Sequence, residues 1–239
     1  MLFRSTFQFG LLPLIVITGI VALILLNQTD TGSFLVISLA GLTMFIAAGG
    51  KWKEVFIAIL IGIILLTGLI FTKSYILDRV KTFIDPGANT RSTSYQLDQS
   101  LIAIGSGKLF GRGFGQSIQK FEYLPEPIGD SIFAVAAEEW GFVGGILLIF
   151  LFLIFALRGL KIATGSKDIF GGLLATGIVI LITAQSLINI ASMLGVFPLT
   201  GMPLLFVSHG GTALFFAMAE AGIILNISRS AGNYKSTNN

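Results

Sequence analysis

The sequence predicts an all-α, polytopic membrane protein with six transmembrane helices and one long extracytoplasmic loop that carries short amphipathic helices. The chain of 239 residues is 54% hydrophobic and only 11% charged, whereas soluble domains average about 25% charged residues. Uncharged stretches of membrane-spanning length recur along it, and a polar region at residues 73–130 separates two groups of them. We therefore expect residues 1–239 to form a single membrane domain that contains this loop.

The composition excludes several kinds of site. Cysteine is absent, which excludes disulfides and thiolate metal sites. His209 is the single histidine, so a metal site built from several histidines is excluded as well. The net charge of +3 is small, and we expect no nucleic-acid partner.

The six predicted spans follow from the places where charges are missing. Residues 169–219 run for 51 positions without a charge, which is too long for one crossing. Glycines and prolines between 195 and 203 divide this stretch into two spans joined by a tight hairpin. The other four spans are Ser5–Thr29, Thr31–Gly50, Val55–Thr72 and Trp140–Leu157, and the last of these can extend back to Ser131.

The distribution of basic residues predicts the orientation of the spans. The N-terminus, the C-terminus and two short loops on the same side carry eight Lys and Arg residues, whereas the short loops on the other side carry none. By the positive-inside rule the basic side is cytoplasmic. Both termini are then expected in the cytoplasm and loop 73–130 outside. The eight residues are Arg4, Lys51, Lys53, Arg158, Lys161, Lys167, Arg229 and Lys235.

Two pieces of the long loop have the periodicity of amphipathic helices. In the first, apolar residues between Ile76 and Ile84 fall on one face, with Asp78, Arg79, Lys81 and Asp85 around the other. Leu97, Leu101 and Ile104 repeat the pattern more weakly. Such helices can lie along the membrane surface and present a polar rim, or they can simply cap the bundle.

The glycine-rich stretch from Gly105 to Gly115 superficially resembles a phosphate-binding loop. The Gly-Lys-Ser/Thr signature is missing and no strand precedes it, so nucleotide binding is not expected. Two interpretations stay open. A tightly turned backbone could bring Lys108, Arg112 and Lys120 towards an anion, or the glycines could be ordinary loop residues.

Asp130 is the most informative single residue. It follows a segment stiffened by Pro125 and Pro127 and stands immediately before an apolar helical run. An aspartate in this position is commonly an N-cap, worth about 1 kcal/mol. It could also be a general base, because a carboxyl group at a partly desolvated membrane edge can have a raised pKa.

Other polar residues in or near the spans favour structural roles. Glu138 and Glu139 cannot both share the face of Asp130 on a continuous helix, so at least one of them is expected to be structural or to bind a partner. Gln185 and Asn189 are expected to form interhelical hydrogen bonds.

At these residues the sequence resembles the SEDS family (shape, elongation, division and sporulation), the membrane glycosyltransferases that polymerise the bacterial cell wall. A compact run at 115–126 is more like the division branch than the elongation branch. The family has about ten membrane helices, and the match covers only the last six. The matching segments are Asn27–Gly32, Tyr95–Gln96, Ser100–Gly105, Gly113–Lys120, Tyr123–Glu126, Asp130–Ala134, Glu138–Gly141, Gln185–Ile190, Gly201–Pro203 and Ser208–Gly211.

The resemblance implies a function and assigns roles. The expected reaction is peptidoglycan glycosyltransfer, in which lipid II, a polyprenyl-diphosphate-linked disaccharide-pentapeptide, is added to a nascent glycan strand. Asp130 matches the essential aspartate of the family and is expected to be the base. Lys120 and Arg112 are candidates for diphosphate contacts, and Glu126 would shape the loop. Gly129 stands where the family usually has threonine, and His209 where it usually has tyrosine.

The resemblance also implies partners, and two rival functions remain. The expected partners are a class B penicillin-binding protein, which is a single-span transpeptidase, and other division proteins in the lipid bilayer. A divalent cation, magnesium or manganese, could share the charge of the diphosphate, although the residues predict no all-protein metal cage. One rival function is a flippase or transporter of the lipid-linked precursor. The other is a non-catalytic scaffold of the division machinery.

Overall fold

The computed structural model describes residues 11–72, 74–84 and 92–236, and throughout these ranges the regular secondary structure is helical. Residue Asp85 of the first amphipathic pattern lies outside the described residues. The helices in chain order are α1 (Leu11–Asn27), α2 (Thr31–Ala47), α3 (Trp52–Thr72), α4 (Ser74–Ile84), α5 (Ser92–Ser106), α6 (Gln119–Glu122), α7 (Ile132–Thr164), α8 (Ile169–Met193) and α9 (Gly211–Ser236).

The helices confirm a polytopic helical membrane protein. Within the described residues, α7, α8 and the Gly211–Arg229 part of α9 are long and apolar enough to cross a membrane. The shorter apolar helices α1 and α2 coincide with the first two predicted spans, although the first prediction began at Ser5, outside the described residues. The third predicted span, Val55–Thr72, lies within α3.

The chain forms two compact units, and each has its own core. The first comprises Met1–Ile76, Ala156–Leu181 and Ala219–Asn239, with buried clusters around Phe45 and around Ala175. The second comprises Leu77–Phe155 and Ile182–Met218. Its main core joins side chains from α5, α7, α8 and the segment after α8: Leu97, Phe133, Ala136, Leu148, Phe152, Ile190, Met193, Leu199 and Leu204.

Helix α5 packs against the core of this second unit, as its weak periodicity predicted. Leu97 is buried in the main core, and Ile104 packs against it. Leu101, which the same pattern placed on the apolar face, is exposed instead. The buried Leu97 supports the interpretation that this part of the loop covers the end of the helix bundle.

Helix α7 is broken at Gly141, whose backbone angles are φ 69° and ψ −168°. A break leaves carbonyl and N–H groups without helical partners, and the loop after α5 supplies replacements. Arg112 N–H donates to the Glu138 carbonyl (3.0 Å) and Gly113 N–H to the Glu139 carbonyl (3.0 Å). In return, the carbonyls of Lys108 and Leu109 accept from the first two N–H groups beyond the break, at 2.8 and 3.2 Å.

Three glycines allow the loop to approach α7 this closely. A Cβ at Gly107 would collide with the Ala137 carbonyl oxygen, and one at Gly111 with the Glu139 carbonyl oxygen. A Cβ at Gly141 would collide with Gly111 N and with the Leu109 carbonyl oxygen. Both interpretations of the glycine-rich stretch therefore missed the role seen here, which is close backbone-to-backbone packing.

Candidate active site

The segment between Pro125 and Ser131 forms a tight turn that leads into α7. The Glu126 carbonyl accepts hydrogen bonds from Gly129 N–H (3.1 Å) and Ser131 N–H (3.2 Å). The Ser131 hydroxyl donates to the Pro125 carbonyl (2.8 Å), and the Gln96 side chain donates to the same hydroxyl (3.0 Å). Glu126 itself has a positive φ of 46°, a conformation that non-glycine residues adopt infrequently.

Three successive carbonyl groups of this turn are held from outside it. His209 N–H donates to the Ile128 carbonyl (2.8 Å). The Ser208 hydroxyl donates to the Gly129 carbonyl (2.7 Å), and the Asn189 amide donates to the Asp130 carbonyl (2.7 Å). Since these donors come from α8 and from the segment before α9, the position of Asp130 is fixed by residues far along the chain.

The Asn189 amide also fixes the stretch after α8. It donates a second bond to the Met202 carbonyl (2.6 Å), and the Gln185 amide donates to the Pro203 carbonyl (3.2 Å). Gln185 and Asn189 form hydrogen bonds as predicted, but the prediction that these bonds are interhelical is wrong, because the acceptors are backbone carbonyls of non-helical segments. His209 contributes through its backbone N–H rather than its ring, so this contact does not depend on the departure from the family's tyrosine.

The Asp130 carboxyl group is half-buried among charged and backbone groups. Burial raises its pKa, the nearby Glu126 carboxylate raises it further, and the Arg79 guanidinium acts in the opposite direction. A Cβ atom added to Gly201 would lie 3.5 Å from Asp130 Oδ2 and 4.0 Å from Arg79 Nη2. Both side chains therefore approach Gly201. Arg79 Nη1 donates to the Thr200 carbonyl (3.4 Å).

The N-cap interpretation of Asp130 finds no support in this geometry. Helix α7 begins at Ile132, and among the described residues no backbone N–H donates to the Asp130 carboxylate. The carboxyl group is therefore left facing Arg79 and Glu126, and its raised pKa is suited to accepting a proton.

Arg79 is the site residue that the sequence reasoning missed. Helical periodicity placed Arg79 on the polar face of α4, whereas the structure leaves Arg79 half-buried and exposes Phe83 and Ile84 of the predicted apolar face. Periodicity alone cannot say what each face meets. A basic side chain on the polar face of a helix in the same loop as Asp130 was the only available signal.

Lys120 and Arg112 are engaged by the two glutamates of α7. Lys120 Nζ lies 2.6 Å from Glu139 Oε1, and Arg112 Nε lies 3.3 Å from Glu138 Oε1. Of the four predicted site residues, the structure brings Glu126 and Asp130 together, while Lys120 and Arg112 belong to this second cluster.

The two glutamates also bind the backbone of the loop. Glu138, which is fully buried, accepts from the Ser117 hydroxyl (2.6 Å) and from Ile118 and Gln119 N–H (3.2 and 3.3 Å). Glu139 accepts from Gly115 N–H (2.9 Å) and Ser117 N–H (3.4 Å). The prediction that at least one of them is structural is confirmed, because both hold the loop.

Two cavities lie near these clusters. One, of about 10 Å³, is lined by Arg79, Thr82, Leu97 and residues 197–199, and it has room for about one water molecule. The other is an open depression of about 340 Å³ lined by residues 115–118, Phe121 and Tyr123. Within the described part of the chain, no cluster of three or more metal-ligating side chains is present.

Together these features define a helical membrane protein in which a carboxyl group of raised pKa is held at the start of a membrane-crossing helix. The chain belongs to the FtsW/RodA/SpoVE family of cell cycle proteins, whose sequence profile matches residues 4–233. This confirms the family resemblance drawn from the motifs.

Curated relatives match almost the whole of this chain. Stage V sporulation protein E of Bacillus subtilis (strain 168) is 38% identical over 225 residues, which cover 94% of this chain and 62% of that protein. A probable peptidoglycan glycosyltransferase FtsW of Geobacter sp. (strain M18) is 36% identical over 225 residues, covering 93% of this chain and 60% of that protein. The chain thus spans about three fifths of the length of these relatives.

Solved structures share the fold. A chain of a peptidoglycan synthase complex, studied for its coordination of polymerization and crosslinking, superposes with a TM-score of 0.72 at 22% identity, covering 97% of this chain and 64% of that chain. The rod shape determining protein RodA of Thermus thermophilus superposes with a TM-score of 0.61 at 24% identity, covering 95% and 59%.

Proposed function

We propose that this protein is a peptidoglycan glycosyltransferase that polymerises lipid II into glycan strands during bacterial cell division. Support comes from family membership and from relatives named as probable peptidoglycan glycosyltransferases FtsW. The observation that carries the proposal is the half-buried Asp130 carboxyl group, which has a raised pKa and lies beside Arg79.

The reaction requires a base and a site for a departing anion. A sugar 4-hydroxyl attacks the anomeric carbon of the donor, a new C–O bond forms, and the bond to the polyprenyl diphosphate breaks with its electron pair. Asp130 takes the proton of the attacking hydroxyl, a contribution worth about 10²- to 10⁴-fold in rate. The raised pKa makes the carboxylate a stronger base than an ordinary aspartate.

Arg79 and Glu126 tune this base in opposite directions. The Glu126 carboxylate increases the proton affinity of Asp130, whereas the Arg79 guanidinium limits that increase and keeps more of the carboxylate ionised. The Arg79 guanidinium also offers positive charge close to the reacting groups, where negative charge develops on the diphosphate.

Direct contact of Lys120 and Arg112 with the diphosphate stays a prediction. Their ion pairs with Glu139 and Glu138 favour a role in holding the loop. The Lys120 and Arg112 side chains are 22% and 39% exposed, so each keeps a surface that an anion could contact.

A divalent cation is compatible with the residues around Asp130. Asp130 and Glu126 supply two neighbouring carboxylates, and Mg²⁺ commonly binds through one or two carboxylates together with substrate phosphates. When bound, such an ion would supply positive charge to the diphosphate.

The proposed function implies a membrane location, an orientation and protein partners. The whole chain would act as one domain of the bacterial cytoplasmic membrane, with both termini in the cytoplasm and loop 73–130 outside. A class B penicillin-binding protein is the proposed partner, alongside other division proteins, since a structural neighbour belongs to a peptidoglycan synthase complex. The protein would bind lipid II and the nascent glycan strand at the extracytoplasmic face of this membrane.

The test is polymerisation in liposomes that contain lipid II. The unmodified protein would be compared with its Asp130→Asn and Asp130→Ala variants. The same comparison would be made in a longer relative with the equivalent aspartate changed. We expect a loss of about 10²- to 10⁴-fold in glycan product. Asp98→Asn is the matched control, because Asp98 is an exposed aspartate in α5 of the same loop. Undiminished polymerisation by either Asp130 variant would remove Asp130 as the base, and translocation without polymer would favour the transporter.

A further inference from the structure

The loop between α5 and α6 exposes large apolar side chains. Phe110 is 81% exposed and Phe114 is 82% exposed. Leu109, which lies between Lys108 and Arg112 in the sequence, is exposed as well. Large apolar side chains that are exposed together in one short loop are unfavourable in water and indicate an interaction site. The site machinery described above does not use these side chains.

The depth of this loop is fixed by its bonds to α7. The carbonyls of Lys108 and Leu109 accept from Phe142 and Val143 N–H, so Leu109 and Phe110 lie level with the start of the second part of α7. The uncharged part of α7 begins at Trp140. About 20 residues at 1.5 Å each are needed to cross a hydrocarbon core, which places this level near the edge of the hydrocarbon.

The face of α7 next to the loop is itself apolar and exposed. Phe142, Val143 and Ile146 are exposed large hydrophobic residues on a helix of membrane-spanning length and composition. The exposed apolar residues of the loop therefore lie beside exposed apolar residues of a helix that is long and apolar enough to span a membrane.

Charges in the same loop are compensated inside the protein. Arg112 pairs with the fully buried Glu138, and Lys120 pairs with Glu139. Paired charges are far less costly at a low-dielectric boundary than isolated ones. Lys108 is exposed, and its long side chain can extend to lipid phosphates while its stem stays among apolar groups.

We propose that the segment 108–114, here named the lip, inserts into the lipid leaflet at the N-terminal end of α7. The side chains of Leu109, Phe110 and Phe114 enter the upper part of the acyl chains, and Lys108 contacts headgroup phosphates. Helix α7 satisfies four backbone groups of the lip, namely the Lys108 and Leu109 carbonyls and the Arg112 and Gly113 N–H groups. These bonds lower the cost of placing non-helical backbone at this depth. The lip thereby holds the neighbouring loop at the lipid surface.

The absence of cysteine allows a direct test in the intact chain. Single cysteines at Phe110→Cys and Phe114→Cys, each carrying a nitroxide, would be measured in vesicles of phosphatidylethanolamine and phosphatidylglycerol. The measured quantity is the ratio of collision rates with oxygen, which concentrates in lipid, and with a water-soluble nickel chelate. Phe150→Cys on the exposed apolar face of α7 is the lipid reference, and Lys51→Cys in the exposed turn after α2 is the water reference.

We expect the ratios at 110 and 114 to shift from the Lys51 value towards the Phe150 value. Both positions are exposed, so the substitutions leave no core cavity, and two independent sites guard against one failed variant. A nickel-dominated ratio at both positions would overturn the proposal. Protection from both agents would overturn it too, because it would mean that protein and not lipid covers the lip.

Discussion

The side-chain amide of Asn189 joins the backbone carbonyls of Asp130 and Met202, at 2.7 and 2.6 Å. One residue of α8 therefore fixes both the turn that carries the proposed base and the stretch after α8. Asn189 is 1% exposed, so water cannot replace these bonds without rearrangement.

Asn189→Ala is expected to lower both stability and activity. The buried Met202 carbonyl and the half-buried Asp130 carbonyl would lose this donor, at a cost of about 2–4 kcal/mol in the free energy of unfolding. Activity should fall in preparations that still fold, because the Asp130 turn loses one of its external contacts. Thermal unfolding in detergent and lipid II polymerisation would measure the two effects. Asn27→Ala is the control, since Asn27 makes one exposed hydrogen bond to the Leu23 carbonyl; equal losses in both variants would contradict the prediction.

Glu126→Gln and Arg79→Gln should move the acid limb of the pH–rate profile in opposite directions. Removing the Glu126 charge removes a cause that raises the pKa of Asp130, so the limb moves to lower pH. Removing the Arg79 charge takes away the opposing effect, so the limb moves to higher pH. The profile of initial polymerisation rate against pH measures both. Shifts in the same direction would show that Asp130 is not the group that titrates.

Asp130→Asn is expected to stabilise the protein near neutral pH. Burial raises the pKa of Asp130 in the folded chain, so ionising this carboxyl group lowers the free energy of unfolding. Below the unfolded-state pKa of about 3.9 the group is protonated in both states and this loss is absent. The stability advantage of the asparagine variant should therefore grow as pH rises through the raised folded pKa and then level off. Unfolding midpoints of both proteins across pH measure the difference, and an advantage that shrinks with rising pH would contradict it.

Gly111→Ala is expected to destabilise the protein by about 3 kcal/mol or more. Its φ is +80°, and the added Cβ would strike backbone atoms that cannot move aside. Gly105→Ala is the matched control, because a Cβ there meets nothing within 4 Å. In helix α5 that change should be neutral or stabilising by up to about 1 kcal/mol. Similar unfolding midpoints for the two variants would refute the close-packing role.

Lys120 and Glu139 should behave as a coupled pair. If Lys120 acts by holding the loop, the losses in the free energy of unfolding caused by Lys120→Met and Glu139→Gln will not be additive. The expected coupling energy between the two changes is about 0.5–3 kcal/mol. Activity of the double variant should then match that of the more damaged single variant. Additive losses in kcat/KM, without coupling in stability, would instead support direct contact of Lys120 with the diphosphate.

The helices could largely be predicted from the sequence because hydrocarbon length leaves few alternatives. The predicted spans at Thr31–Gly50, Val55–Thr72 and Trp140–Leu157 overlap α2, α3 and α7. The break at Gly141 could not be predicted, since Gly141 is one glycine among many, and only the approach of residues 107–113 gives it a meaning.

The candidate site could be predicted only in part. Asp130 was found because a carboxylate beside a helix start is unusual in an apolar chain, and family motifs agreed. Arg79 was missed, and the pairing of Lys120 with Glu139 was not predicted, because sequence separation hides which charges meet. Arg79 and Asp130 are 51 positions apart in the sequence, and no periodic signal joins them.

The contacts among Gly107, Gly111 and Gly141 also limit how this region can evolve. Each added Cβ would collide with main-chain atoms, so a smaller neighbouring side chain cannot make room. A screen for second-site suppressors of an alanine at any of the three should therefore return true revertants, or changes that raise global stability elsewhere, and no compensating partner within the cluster.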